Sequence, residues 1–291
     1  MRQPEHSLRG HLVALLTIFL WGITYISTKV LLTDFAPLEI LLIRFVIGLV
    51  GLFLVYPKFF GFTSWKEEGA LAAAGLLGIC LYYLFENIAL TFTYASNIGV
   101  IVSTSPLFIA LIAAALGRQR LTKQFLCGFI ASMLGISLIS LNGSGVHINF
   151  TGDLLALLAA LIWALYSYVV SYLNTLGHNP VQVTRRTFIY GILFILPVFW
   201  ATHGRIRLAV ILQPDNLVNL LFLGLGASAL CFLSWAYAVK KLGTVKTSIY
   251  IYLVPVVTVI TAWLILHEPI TPLVLVGILL TIGGLVISAR Q

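Results

Sequence analysis

The chain has 291 residues, 60% of them hydrophobic and 9% charged, with a mean hydropathy of +1.05. Soluble domains carry about 25% charged residues, so a water-facing globule is excluded. The expected class is an all-α integral membrane protein, because in lipid each span must satisfy its own backbone polar groups. The net charge of +8 comes from scattered basic residues and argues against a nucleic-acid partner.

At about 20 residues per crossing, the hydropathy predicts ten transmembrane helices, near 11–32, 37–57, 68–89, 94–116, 123–142, 151–173, 180–201, 216–239, 245–266 and 271–289. The first could pass for a signal peptide, but its apolar run continues past Trp21 to Leu32 without a small-x-small cleavage site, so it reads as a retained span. Turn formers mark the connections: Pro57, Gly61, Asn142-Gly143-Ser144-Gly145, Gly177-His178-Asn179-Pro180 and Gln213-Pro214-Asp215-Asn216. Cys80, Cys127 and Cys231 each fall mid-span and offer neither a disulfide framework nor metal spacing.

Orientation follows from Lys and Arg in the short loops. With the N-terminus inside, that face collects Arg2, Arg9, Lys58, Lys66, Arg118, Arg120, Lys123, Lys240, Lys241, Lys246 and Arg290, while the other keeps Arg205 and Arg207. Both termini are therefore expected in the cytoplasm, with the chain multi-pass in the cell inner membrane.

The sequence also repeats itself. A shift of 149 residues carries Pro106 onto Pro255, Thr122 onto Thr271, Gly128 onto Gly277 and Gly135 onto Gly284. A shift of 142 carries Trp21 onto Trp163 and Arg44 onto Arg186. The expected domains are two repeats, 1–145 with spans 1–5 and 146–291 with spans 6–10. Five spans per repeat is an odd number, so the second would enter the membrane inverted, as in secondary transporters whose site lies between the halves.

The stretches "LTIFLWGITYISTKVLL", "PLEILLIRFVIGL", "ALTFTYASNIGVIVSTSPLFIALIAAALGRQRLT", "LLALLAALIWALYSYVVSYL" and "LGTVKTSIYIYLVPVVTVITAWLILHEPIT" carry a resemblance. They are similar, across nearly the whole chain, to the two repeats of EamA-type members of the drug/metabolite transporter superfamily. Within it the chain resembles the bacterial YddG-type amino-acid exporters, although no short motif fixes the substrate. The resemblance implies ten helices, a central cavity built from spans 1–4 and 6–9, and spans 5 and 10 as peripheral support. One departure stands at Gln119, where family members usually have an acidic residue.

Candidate substrate-binding residues begin with Glu86 in span 3, flanked by Tyr82, Tyr83 and Asn87. Positions 79, 82, 83, 86 and 90 share a helical face, forming a polar stripe that lipid would penalise by a few kcal/mol at the centre. Glu86 is either an amine ligand or proton-coupling group facing a cavity, or a carboxylate wetted at the non-cytoplasmic interface. Trp21, Trp163 and Trp235 sit well inside apolar runs, as do Tyr166 and Tyr250. Mid-span indoles and phenols need polar partners, so these residues suggest an aromatic cavity; helix packing is the alternative for each. Asn97 and Ser103 add neutral polar groups ahead of Pro106. Lys246 is a snorkelling lysine at the cytoplasmic edge or a cation for a substrate carboxylate. Arg44 and Arg186 read as interfacial anchors or partners of Glu39 and headgroups, with contact to the substrate as the lesser alternative.

Pro106 and Pro255 are candidate hinges. Each lacks an N–H and frees the carbonyl four residues back, at Val102 and Ile251; hydroxyls stand beside the first, whereas the second needs neighbours or water. Gly128, Gly135, Gly277 and Gly284 suit close helix contact. The turn His267-Glu268-Pro269 is expected to join spans 9 and 10 outside the membrane. No cofactor, metal or enzyme signature is found. The expected function is export of small organic metabolites, foremost amino acids, aromatic ones included, by alternating access. The expected partners are that solute, membrane lipids and coupling protons, with the oligomeric state open. The alternatives are a broad-specificity exporter, a channel, or a membrane-embedded enzyme acting on a lipid-linked substrate.

Overall fold

The computed structural model describes residues 8–58, 61–92, 95–117, 120–140, 149–266 and 271–289. Among them every regular element is helical: α1 (Leu8–Leu31), α2 (Pro37–Val55), α3 (Trp65–Phe92), α4 (Ala95–Val102), α5 (Ser105–Ala115), α6 (Lys123–Ser140), α7 (Phe150–Thr175), α8 (Pro180–Ala201), the short α9 (Leu208–Ile211), α10 (Pro214–Leu242), α11 (244–266) and α12 (Pro272–Ala289). Seven described helices are long and apolar enough to cross a membrane: α1, α2, α3, α7, α8, α10 and Thr244–Thr261 of α11. Shorter apolar helices cover Ser105–Ala115, Lys123–Leu138 and Pro272–Ser288. Leucines such as Leu54 and Leu279, 80% and 71% exposed, suit a lipid surround. The expected His267-Glu268-Pro269 turn, Arg118 and Gln119 lie outside the described residues.

Local chemistry starts and stops these helices. Ser64, Asn149 and Asn179 cap α3, α7 and α8 by accepting hydrogen bonds from the backbone N–H groups of Glu67, Gly152 and Val181. Pro37, Pro180 and Pro214 occupy first turns, where the missing N–H costs nothing. Gly243, at φ +83°, makes the sharp exit from α10.

Two helices are wound more loosely in the middle. Gly75–Leu81 of α3 and Phe222–Leu230 of α10 are π-helical, and the 149-residue shift superimposes most of one segment on the other. The α3 segment packs against α8, and the α10 segment against α2. A Cβ on Gly75 would meet the Thr187 carbonyl at 2.7 Å and the Gly191 nitrogen at 2.6 Å. One on Gly224 would meet the Arg44 carbonyl at 2.9 Å. These reciprocal contacts match Arg44 with Thr187, and so correct the expected match of Arg44 with Arg186 by one position. One residue turns a helix by about 100°. Arg44 accordingly points inward at 1% exposure, whereas the Arg186 side chain is 24% exposed and pairs with Glu68.

The expected glycine contact between α6 and α12 is present. A Cβ on Gly128 would strike Ser288 and the Gly284 carbonyl, and one on Gly135 would strike Thr281 and the Gly277 carbonyl, all within 2.6 Å. Numbers rise along one helix as they fall along the other, so the two run antiparallel. Ser132 adds a hydrogen bond to the Thr281 carbonyl at 3.2 Å.

The two prolines are handled differently. Before Pro106 the helix is interrupted at residues 103–104, and the freed Val102 carbonyl accepts the Ser105 hydroxyl at 2.5 Å. Ahead of Pro255 the chain tightens into a 3₁₀ turn, Ile249–Leu253. The Ile251 carbonyl is there taken by the backbone N–H of Val254, so it needs neither neighbours nor water.

Candidate functional site

A cavity of about 500 Å³, open space included, lies among α1, α3, α4, α7 and α11. Its floor is aromatic. Trp21 and Trp163 meet edge to face with centroids 5.1 Å apart, and Tyr82 lies 4.9 Å from Trp163. Trp21 is fixed by an indole N–H donated to the Ala227 carbonyl at 3.1 Å, in the π segment of α10. The loosened helix thus supplies the acceptor that aims this ring.

Glu86 also lines the cavity, 7% exposed. That places it inside the bundle. The Tyr82 hydroxyl donates to it at 3.2 Å, and Tyr25 is near enough to interact with it. No cation among the described residues stands within ion-pairing distance of this carboxylate. Ser103, at the break before Pro106, and Gly99 form part of another wall. The Ser103 hydroxyl is itself spent on the Gly99 carbonyl at 2.6 Å.

Of the sequence candidates, Trp21, Tyr82, Tyr83, Glu86, Ser103 and Trp163 meet at this cavity. Trp235 stands behind it, 1% exposed, with its ring 5.1 Å from Trp21 and its indole N–H unpartnered. Tyr166 faces a second cavity among α7, α8 and α10, together with His178 and Thr187; its ring lies 5.1 Å from that of Trp163. Tyr250 sits apart, its hydroxyl 2.5 Å from His11 Nδ1. Lys246 lines neither cavity. The Asn97 side chain lies outside the described residues.

Sequence reasoning missed one participant and gave another its lesser weight. Tyr25 stands one turn beyond Trp21, and that i+4 spacing was its available signal. Arg44 was read as an anchor, yet its guanidinium lies 4.4 Å over the Tyr83 ring and its Nε donates to Ser228 at 3.0 Å.

Contacts tie the helices together at the two ends of the bundle. At one end Asn216 donates to Asp34 at 2.8 Å and Ser27 to Asn219 at 2.5 Å, joining α1 to α10. Glu39 accepts from the Arg205 backbone N–H there at 2.9 Å. At the other end Glu67 meets His178 at 3.0 Å, and Glu68 pairs with Arg186 while accepting from Tyr190. Arg185 completes that end by donating to the Tyr56 and Lys58 carbonyls at 2.6 and 2.7 Å.

Comparison with known proteins agrees with a transporter. The model of the EamA-like transporter family matches twice, over residues 8–141 and 150–290. A protein of Archaeoglobus fulgidus described as an uncharacterized transporter is 27% identical over 97% of this chain and 98% of its own. A probable terminal-alkyne amino-acid exporter of Streptantibioticus cattleyicolor is 26% identical over 95% of this chain and 92% of its own. One crystal structure superimposes with a TM-score of 0.75 at 18% identity, covering 96% of this chain and 95% of that one, which supports the fold alone.

Proposed function

The chain belongs to the EamA-like transporter family, and from that premise we propose that it exports small amine-bearing organic solutes, foremost amino acids, across the cell inner membrane. The observation that carries this reading is a carboxylate, Glu86, with no cation at ion-pair contact among the described residues, in a cavity walled by Trp21, Tyr25, Tyr82 and Trp163. An ammonium group gains there both an ion pair and cation–π attraction, worth about 2 kcal/mol or more when desolvated. The rings accept the apolar remainder of the solute. An amino-acid exporter among the relatives favours the same substrate class.

The carrier is two inverted five-span halves, 1–145 and 146–291, with both termini cytoplasmic. The antiparallel α6–α12 pair and the reciprocal π-segment contacts support the inversion. Spans 3, 4, 8 and 9 rock against the rest, bending at Pro106 and Pro255, so that the two ends open in turn. Protons compete with the ammonium group for Glu86 and thereby drive exchange.

Purified protein in liposomes should move radiolabelled amino acids with saturation, across a panel run at two pH gradients. Absence of flux over the whole panel rejects transport of this class. Non-saturating flux of every solute would favour a channel instead.

A further inference from the structure

Arg44 is the structure's unexplained charge. It sits on α2, 1% exposed, in a span where an unpaired cation is costly. Its Nε is taken by Ser228, its flat face lies over Tyr83 at 4.4 Å and Phe45 at 5.4 Å, and its buried NH2 nitrogen has no partner. No carboxylate among the described residues stands within ion-pairing distance. Arg44 has no anion at contact; the carboxylate that acts on it is Glu86, beyond Tyr83.

The place for an anion at contact is set by Tyr83. This ring lines the cavity, whereas Arg44 does not, so the phenol is the partition between them. Glu86 lies three residues further along α3, roughly 5 Å at the helical rise. The carboxylate thus lines the cavity and the guanidinium lies over the partition ring, each without a protein counter-ion at contact among the described residues. The Ser228 bond and the ring stacking fix the guanidinium while leaving its free edge for an acceptor.

Building on the transport reading above, we propose that Arg44 is the carboxylate-binding half of the site. The solute is then a zwitterionic α-amino acid. Its ammonium group meets Glu86, its carboxylate meets the free edge of Arg44 once the Tyr83 ring swings aside, and its side chain lies against Trp21 and Trp163. A simple amine satisfies only half of this arrangement.

Indoles in the cavity wall give the test a direct readout, quenching of tryptophan fluorescence in the purified full-length protein. L-phenylalanine, L-phenylalaninamide and phenethylamine share a ring and an amine, and only the first bears a carboxylate. A charge-assisted bidentate contact predicts that wild type binds phenylalanine at least about tenfold more tightly than the other two. Arg44→Gln should reduce that ratio at least about tenfold. Equal affinities in wild type overturn the assignment without any variant having to fold. A uniform fall for all three ligands in Arg44→Gln also overturns it, because that marks a packing role. Chloride dependence of an otherwise unselective binding would assign Arg44 to an inorganic anion and overturn it likewise. If amino-acid flux is found without the carboxylate preference, this inference alone falls; if neither binding nor flux is found, the transport reading falls and takes this one with it.

Discussion

The two ends of the bundle are fastened at equivalent places by different chemistry. The 149-residue shift that carries Pro106 onto Pro255 also carries Glu67 onto Asn216. Each partner comes from the loop after the first helix of the other half: His178 follows α7 and Asp34 follows α1. At the Asn216 end the bond is amide to carboxylate; at the Glu67 end it is imidazole to carboxylate, reinforced by Arg186 on Glu68. Duplication explains why the contacts match in position. The positions match while the chemistry differs. Unequal fastenings give a carrier a preferred resting state, since a difference of 1.4 kcal/mol is tenfold in population.

That comparison is broken most severely at the charged end. Glu68→Ala leaves Arg186 and Tyr190 without their acceptor and should shift the equilibrium toward opening there by about 2 kcal/mol, or roughly thirtyfold. Alkylation of a cysteine placed in the second cavity at Thr187 would measure it; an unchanged rate argues that this end is not a gate. Asn216→Ala is predicted to act oppositely, favouring opening at its own end by about 1 kcal/mol, a factor of roughly five. The same assay at Thr24, facing the first cavity, reads that change. The smallest effect is expected at the hinges. Ser105→Ala removes the hydroxyl that satisfies Val102 and should cost about 0.5–1.5 kcal/mol of thermal stability.

These contrasts also mark what was legible in the sequence. The α6–α12 contact followed from glycines seven residues apart, because a missing Cβ has a fixed geometric consequence. The hydroxyl beside Val102 was foreseen for the same reason: Pro106 must free that carbonyl and Ser105 is adjacent. The π segments were invisible, since "GLLGICL" and "FLGLGASAL" are as compatible with α as with π winding, and only contact with α8 and α2 decides. That blindness carried a cost at Arg44. Loop lengths allowed a match with Arg186, and only packing fixed the register one residue away, turning an apparent anchor into a buried cation. Tyr166 was placed on the correct buried face beside Trp163, but one turn carried it into the neighbouring cavity. The Ile251 carbonyl was assigned to neighbours or water because helix propensity does not announce a 3₁₀ turn.

The central claim is that the two ends open alternately around Glu86. Spin-label pairs at Thr33 and Gln213 on one end, and at Thr63 and Thr175 on the other, test it in protein whose exposed Cys127 has been replaced. Pulsed electron resonance would follow both distances in lipid as amino acid is added and as Glu86 is changed to Gln. The account predicts opposite movements: one distance lengthens as the other shortens, and Glu86→Gln abolishes the response to substrate. Two distances that stay fixed, or that lengthen together, would contradict it.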